Sequence, residues 1–200
     1  MTALASHKMD WTEVYDTNVL VRGADLSDSG SALFVDIGGA HGLDSARLLA
    51  KHPELPTSAK IVIQDLPEVV STHAKETLSP GIERMAYDFF QPQPLRSARA
   101  YFLHAVPHDW PDGDCKRIFH NVKAAMRKGY SKLLIYEIVM PSKGATSLMT
   151  TLDLQLMSCT SGFERTEEDW KSLLGEAGLR IINIYGHPRA VESVIEAEVL

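Results

Sequence analysis

The sequence predicts an α/β fold: a doubly wound, mostly parallel sheet of seven strands that closes with a C-terminal antiparallel hairpin. Two observations carry this. Short apolar runs alternate with stretches of helical spacing, the pattern of a parallel sheet covered on both faces. The last two runs, Ile181–Tyr185 and Val191–Val199, are joined only by Gly186, His187, Pro188 and Arg189, too few residues for a helical crossover, so this pair is antiparallel. A chain of 200 residues suits one domain with a sizeable core.

The elements follow in order. Residues 1–30 are polar and end in the Ser/Asp/Gly-rich stretch Gly23–Ser31, which reads as a linker to a domain at 31–200. Leu33–Ile37 is an apolar run ending in glycines, a buried parallel strand. Residues 42–51 have helical spacing, with Leu43, Ala46, Leu49 and Ala50 on one side. Ile61–Ile63 starts a second strand that ends at Asp65, and a helix begins near Pro67, since proline suits a first turn. Met85–Tyr87, Ala98–Leu103 and Leu133–Val139 read as the third, fourth and fifth strands, the third ending at Asp88. Residues 112–127 form an amphipathic helix with acids in the first turn and basic residues near the end. Helices are also expected over 146–160 and 166–177, the latter opened by the capping pair Thr166 and Asp169.

Composition excludes several classes of function. A net charge of −6 argues against nucleic acid, because phosphate binding needs a basic face. No run approaches the ~20 apolar residues of a membrane span. The first residues lack the apolar region of a secretory leader. Cys115 and Cys159 form no metal-ligand spacing, and no metal is expected. A cytoplasmic setting fits.

Asp36-Ile37-Gly38-Gly39-Ala40-His41-Gly42 follows a strand and opens a helix, where glycine lets backbone approach a ligand closely. Ala40 and Leu43 break the dinucleotide fingerprint, and the phosphate-loop lysine is missing, so the loop is not tuned to pyrophosphate. Asp65 ends the second strand, where doubly wound sheets place a ribose acceptor, and Asp88 ends the third. Each alone could be a turn or cap residue. Together with Gly38, at the ends of three consecutive strands, they point to a ligand crevice.

Eight segments then fall in one order: FVDIGGAHG (34–42), QDLPEVV (64–70), DFFQPQP (88–94), HDWPDGDC (108–115), SKLLIYEIVMP (131–141), LDLQLM (152–157), ERTEEDW (164–170) and ESVIEAEV (192–199). In these the chain resembles the caffeic-acid-type O-methyltransferases of plants and fungi, above all the fungal enzymes of secondary metabolism. The resemblance runs from about residue 30 to the end. It implies the Rossmann-like class I methyltransferase fold and S-adenosylmethionine as cofactor. It implies that Gly38, Asp65, Leu66, Asp88 and Phe89 hold the cofactor, with His104 near its far end. It makes His108 the catalytic base, Glu137 and Glu164 the acids beside it, and Leu156 and Thr160 part of the acceptor pocket.

The chemistry agrees. A sulfonium methyl is already activated, so the protein has to align an oxygen nucleophile and take its proton. Histidine suits that task. The expected acceptor is a small hydroxylated aromatic or polyketide-like molecule. Three departures stand out: Ala40 replaces a frequent loop glycine, His104 stands where the family has Lys or Arg, and only about thirty residues precede the first strand. Residues 11–20 resemble the tail of the N-terminal dimerisation region of longer relatives. Exposed apolar surface is therefore expected near Leu152–Thr160, open to a second copy or a partner chain. Two competing readings keep the fold: pericyclic or dehydration chemistry, and a cofactor-binding remnant without turnover.

Asp65→Ala should weaken S-adenosylhomocysteine binding roughly tenfold to a hundredfold, the effect of losing a charged acceptor. Calorimetry on the two proteins checks this, and equal affinities would remove Asp65 from the cofactor site.

Overall fold

The computed structural model describes residues 9–26, 31–56, 58–75, 77–160 and 162–200. Its seven-stranded sheet is built from β1 (Phe34–Ile37), β2 (Ile61–Asp65), β3 (Ile82–Ala86), β4 (Ala100–His104), β5 (Lys132–Glu137), β8 (Leu179–Tyr185) and β9 (Ser193–Val199). Two short strands, β6 (Val139–Met140) and β7 (Arg165–Thr166), pair with each other in parallel outside it. The order across the sheet is β3-β2-β1-β4-β5-β9-β8. The first five strands are parallel, and β9 runs antiparallel to both β5 and β8. The chain moves outward from β1 to β3, then returns to β4 on the other flank of β1. That reversal opens a crevice at the carboxyl ends of β1 and β4, where ligands bind in open α/β sheets.

Alternation along the strands supplies two cores. Val35, Val62, Tyr101, Leu103, Leu133 and Ile135 face α5 (Asp112–Ala125) and α7 (Glu167–Glu176), whose Ile118, Phe119, Val122, Trp170 and Leu173 are buried with them. Phe34, Ile61, Ile63, Phe102, Leu134 and Tyr136 face the other way, toward Leu48 of α3 (Leu43–Lys51). α4 (Pro67–Thr72) starts at Pro67 as expected. The Thr166 hydroxyl accepts from the Asp169 backbone N–H at the start of α7, completing the capping box.

The N-terminal segment belongs to the second core. Trp11 of α1 (Trp11–Val14) is fully buried, its ring 5.3 Å from Phe34 and 4.7 Å from Phe102. The Tyr15 hydroxyl donates to Glu196 at 3.2 Å, and Leu20 of α2 (Asn18–Arg22) is buried beside them. Arg99, just before β4, donates to the carbonyls of Val19 and Leu20 at 3.0 and 3.3 Å.

Several boundaries differ from expectation. β3 begins at Ile82 and ends at Ala86, so Asp88 lies beyond the strand. β5 stops at Glu137, because Val139 and Met140 leave the sheet to pair with β7. The inward face of α3 is Asp44, Ser45 and Leu48, whereas Leu43 is 59% exposed. The helix packs through Leu48 and lays its first turn along the polar crevice. Residues 27–30 of the expected linker lie outside the described residues. No described helix is long and apolar enough to cross a membrane.

Trp11→Ala should cost about 3–5 kcal/mol, as for a large aromatic removed from a packed core. Urea unfolding of the two proteins measures it; a loss below about 1 kcal/mol would mean that α1 contributes little to the domain.

Candidate active site

β1 delivers the chain into the crevice through Gly38, which sits at φ +75° with Val106 so close that a Cβ would meet its Cγ2 at 2.8 Å. Only glycine fits there. Ala40 also takes a positive φ, 41°, at a cost of about 1–2 kcal/mol for an L-residue. The Asp65 carboxylate, at the end of β2, accepts from Ala40 N at 3.0 Å and from Leu66 N at 2.8 Å, and so holds the strained loop. The Leu66 side chain is 40% exposed.

A cavity of about 190 Å³ lies against this loop, lined by Gly38, Ala40, Asp44 and His104 among others. His104 is bracketed by acids: Nδ1 lies 2.5 Å from Asp44 and Nε2 lies 3.3 Å from Glu192. Burial opposes the charge on Asp44, but His104 and Arg47 hold its carboxyl below the ordinary range. Asp36, fully buried under the loop, takes a 2.8 Å hydrogen bond from Ser45; burial pushes its carboxyl up to about 7.

Asp88 stands apart from that cavity. Its carboxylate accepts from Phe90 N at 2.9 Å and closes the turn after β3. Phe89 packs edge-on against Phe90 and Trp110, with centroids at 5.0 and 5.8 Å.

The second cluster forms beyond β4. His108 sits in a 3₁₀ turn, Pro107–Asp109. Its Nδ1 lies 3.0 Å from Glu137 and 3.5 Å from Glu164, both carboxylates being almost wholly buried. Nδ1 has no well-formed hydrogen bond to either oxygen, so the ring is held between two charges. The other Glu137 oxygen accepts from the His108 backbone N–H at 3.3 Å. The β6–β7 pairing makes this possible, because it brings the residue before β7 alongside the end of β5. Burial works against a charge on His108, but the two glutamates outweigh it and push the imidazole up to about 10. Burial raises the Glu137 carboxyl, opposed by His108. Among the described residues these three side chains are the one group whose ligand atoms converge as a metal site would need, within 4.8 Å. Both carboxylates already face the same ring nitrogen.

A family model, the O-methyltransferase domain, matches residues 4–180. The chain belongs to this O-methyltransferase family. O-methyltransferase ATR12 of Stachybotrys chlorohalonatus is 44% identical over 198 residues, covering 99% of this chain and 49% of the relative. The crystal structure of OxaC in complex with SAH and oxaline superposes with a TM-score of 0.86 at 35% identity, over 94% of this chain and 47% of that one. The structure of LepI in complex with SAM gives 0.85 at 32%, over 93% and 47%. The chain thus spans about half the length of the relatives it matches.

In this O-methyltransferase domain, α6 (Ser147–Thr160) carries the two expected acceptor residues. Leu156 is half-buried, and the exposed Thr160 bonds its hydroxyl to the Leu156 carbonyl at 3.1 Å. The helix has no buried residue and exposes Leu148, Leu154 and Met157, the apolar surface expected near 152–160. Asp153 reaches across to accept from Glu164 N at 2.8 Å, linking α6 to the histidine cluster. The sequence did not single out Asp153, Asp44, Glu192 or Arg165. Asp112, expected as a solvated helix-start acid, is ion-paired to buried Arg165 at 2.8 Å, although its side chain is 55% exposed.

The His108 ring should titrate well above an ordinary histidine. Glu164→Gln and Glu137→Gln should each move its inflection down toward about 6.5, because each removes a charge that favours the imidazolium. NMR of the ring protons checks this, and an inflection at about 6.5 in the parent would contradict the paired geometry.

Proposed function

We propose that this chain is the catalytic domain of an S-adenosylmethionine-dependent O-methyltransferase that methylates a hydroxyl of a phenolic or polyketide-like small molecule, in a cytoplasmic setting. One observation carries the reading: a single histidine held between two buried glutamates beyond the end of β4, the strand next to β1, whose glycine loop is tied to Asp65. Relatives crystallised with SAH or SAM support the cofactor.

The loop fits the cofactor. Gly38 turns the backbone along the wall of the cavity at a positive φ, and Gly38, Asp65, Leu66, Asp88 and Phe89 would hold the cofactor. His104 would meet the far end. S-adenosylmethionine would supply a methyl on a sulfonium, ready for displacement.

The protein's own part is proton removal. Glu137 and Glu164 stabilise the imidazolium that forms when His108 accepts a proton at the ring nitrogen away from them, Nε2. A ring that titrates near 10 matches a phenol, which ionises near ~10, so the transfer is close to isoenergetic. The cost is population: the raised inflection leaves few rings neutral at pH 7, so turnover rises with pH toward that inflection. The exposed apolar side chains of α6 suit cover by a second copy or a partner chain.

The high inflection of His108 also favours a second reading. An imidazolium at neutral pH donates a hydrogen bond well, which suits pericyclic chemistry, and a solved pericyclic reaction enzyme shares this fold. Methyl transfer consumes cofactor one-for-one with product; pericyclic chemistry leaves it intact.

His108→Ala should lower methyl transfer at least ~10²-fold while S-adenosylhomocysteine affinity stays within about threefold. Turnover assays and calorimetry on the same preparation test this. Parental turnover in the variant would refute His108 as the base.

A further inference from the structure

Arg165 is the other half of the motif that supplies Glu164, and its side chain is directed at the turn that carries His108 and at the start of α5 just after it. It is 1% exposed. Its guanidinium donates to the Pro107 carbonyl at 3.0 Å and the Trp110 carbonyl at 2.8 Å, the residues on either side of the His108-Asp109 pair. Nε and one terminal nitrogen reach Asp112 at 3.0 and 2.8 Å. The guanidinium carbon lies 4.5 Å over the Phe163 ring and 5.5 Å over that of Trp170. The backbone beside it completes the grip. Phe163 N–H donates to the His108 carbonyl at 3.2 Å, and Gly162 comes so near that a Cβ there would lie 2.1 Å from the same oxygen.

A one-turn 3₁₀ segment has poor hydrogen bonds of its own and does not hold a side chain in register. A buried guanidinium is costly, and its one carboxylate partner is half-exposed, so stability alone is a weak reason for it. Its fixed fork of donors, however, suits binding several carbonyls at set spacing. We propose that Arg165 is a positioning residue that fixes the backbone of the His108 turn so that the ring meets Glu137 and Glu164. Adjacent residues thus hold one histidine in two ways: Glu164 by the ring and Arg165 by the backbone. This rests on His108 as the base only for its effect on turnover; the placement of the ring is independent of it.

Arg165→Lys keeps a charge but cannot span two carbonyls and a carboxylate. In the full chain it should bind S-adenosylhomocysteine within about threefold of the parent. Its His108 ring inflection, read by NMR, should fall by about one pH unit or more as the ring loses its place between the acids. Turnover should drop about tenfold or more in kcat, with a smaller change in KM, since misplacement of even about 1 Å is costly. Asp112→Asn, at a half-exposed site, should shift the inflection the same way by less, and serves where Arg165→Lys does not fold. An unmoved inflection in a folded variant, with only a lower melting temperature, would overturn the proposal. Parental turnover in His108→Ala would defeat the base reading and leave the inflection's answer about Arg165 intact.

Discussion

Two buried carboxylates around one imidazole form the arrangement on which the site depends. Each charge alone would be expensive so far from water, and an imidazolium among them is what makes the group tolerable. The three members come from separate parts of the fold: the turn after β4, the end of β5, and the residue before β7. The parallel register of β4 against β5 and the short β6–β7 pairing must both be correct for the group to exist.

The crevice under the glycine loop likewise sets an imidazole between carboxylates. Asp44 answers His104 through its side chain and Trp11 through its backbone carbonyl, which accepts from the indole N–H at 3.2 Å. Arg47 bridges Asp44 to Asp10, at 3.1 and 2.7 Å. The N-terminal segment is therefore coupled to the loop side of the crevice as well as to the apolar core. A histidine in place of a longer cation is accommodated by acids on both of its nitrogens.

On the other side, α6 is attached to the histidine cluster mainly through Asp153 and the Gly162–Arg165 segment, while its apolar side chains face outward. The base is thus held by the rigid sheet and its neighbours. The helix expected to shape the acceptor pocket has one covered end and one uncovered face. Recognition and proton removal are borne by elements of very different burial.

Much of this was legible in the amino-acid order. Apolar runs located six of the seven sheet strands and only the last two residues of β3, the four-residue join dictated the antiparallel hairpin, and Thr166 with Asp169 announced a helix start, because these depend on near neighbours. Gly38 was marked by the glycine-rich turn after the first strand, and the trio His108, Glu137 and Glu164 by resemblance to a family. The sequence did not reveal Arg165, since arginine is ordinarily a surface residue and nothing local marks it as buried. Nor did it show Leu48 rather than Leu43 facing the core, the departure of Val139 from β5, or the joining of Asp44, His104 and Glu192, which lie 60 and 88 residues apart. Local chemistry by itself determined which elements form. Which side chains meet at their ends was decided only by the register and crossovers of the assembled sheet, because contacts between distant residues have no signature within either segment.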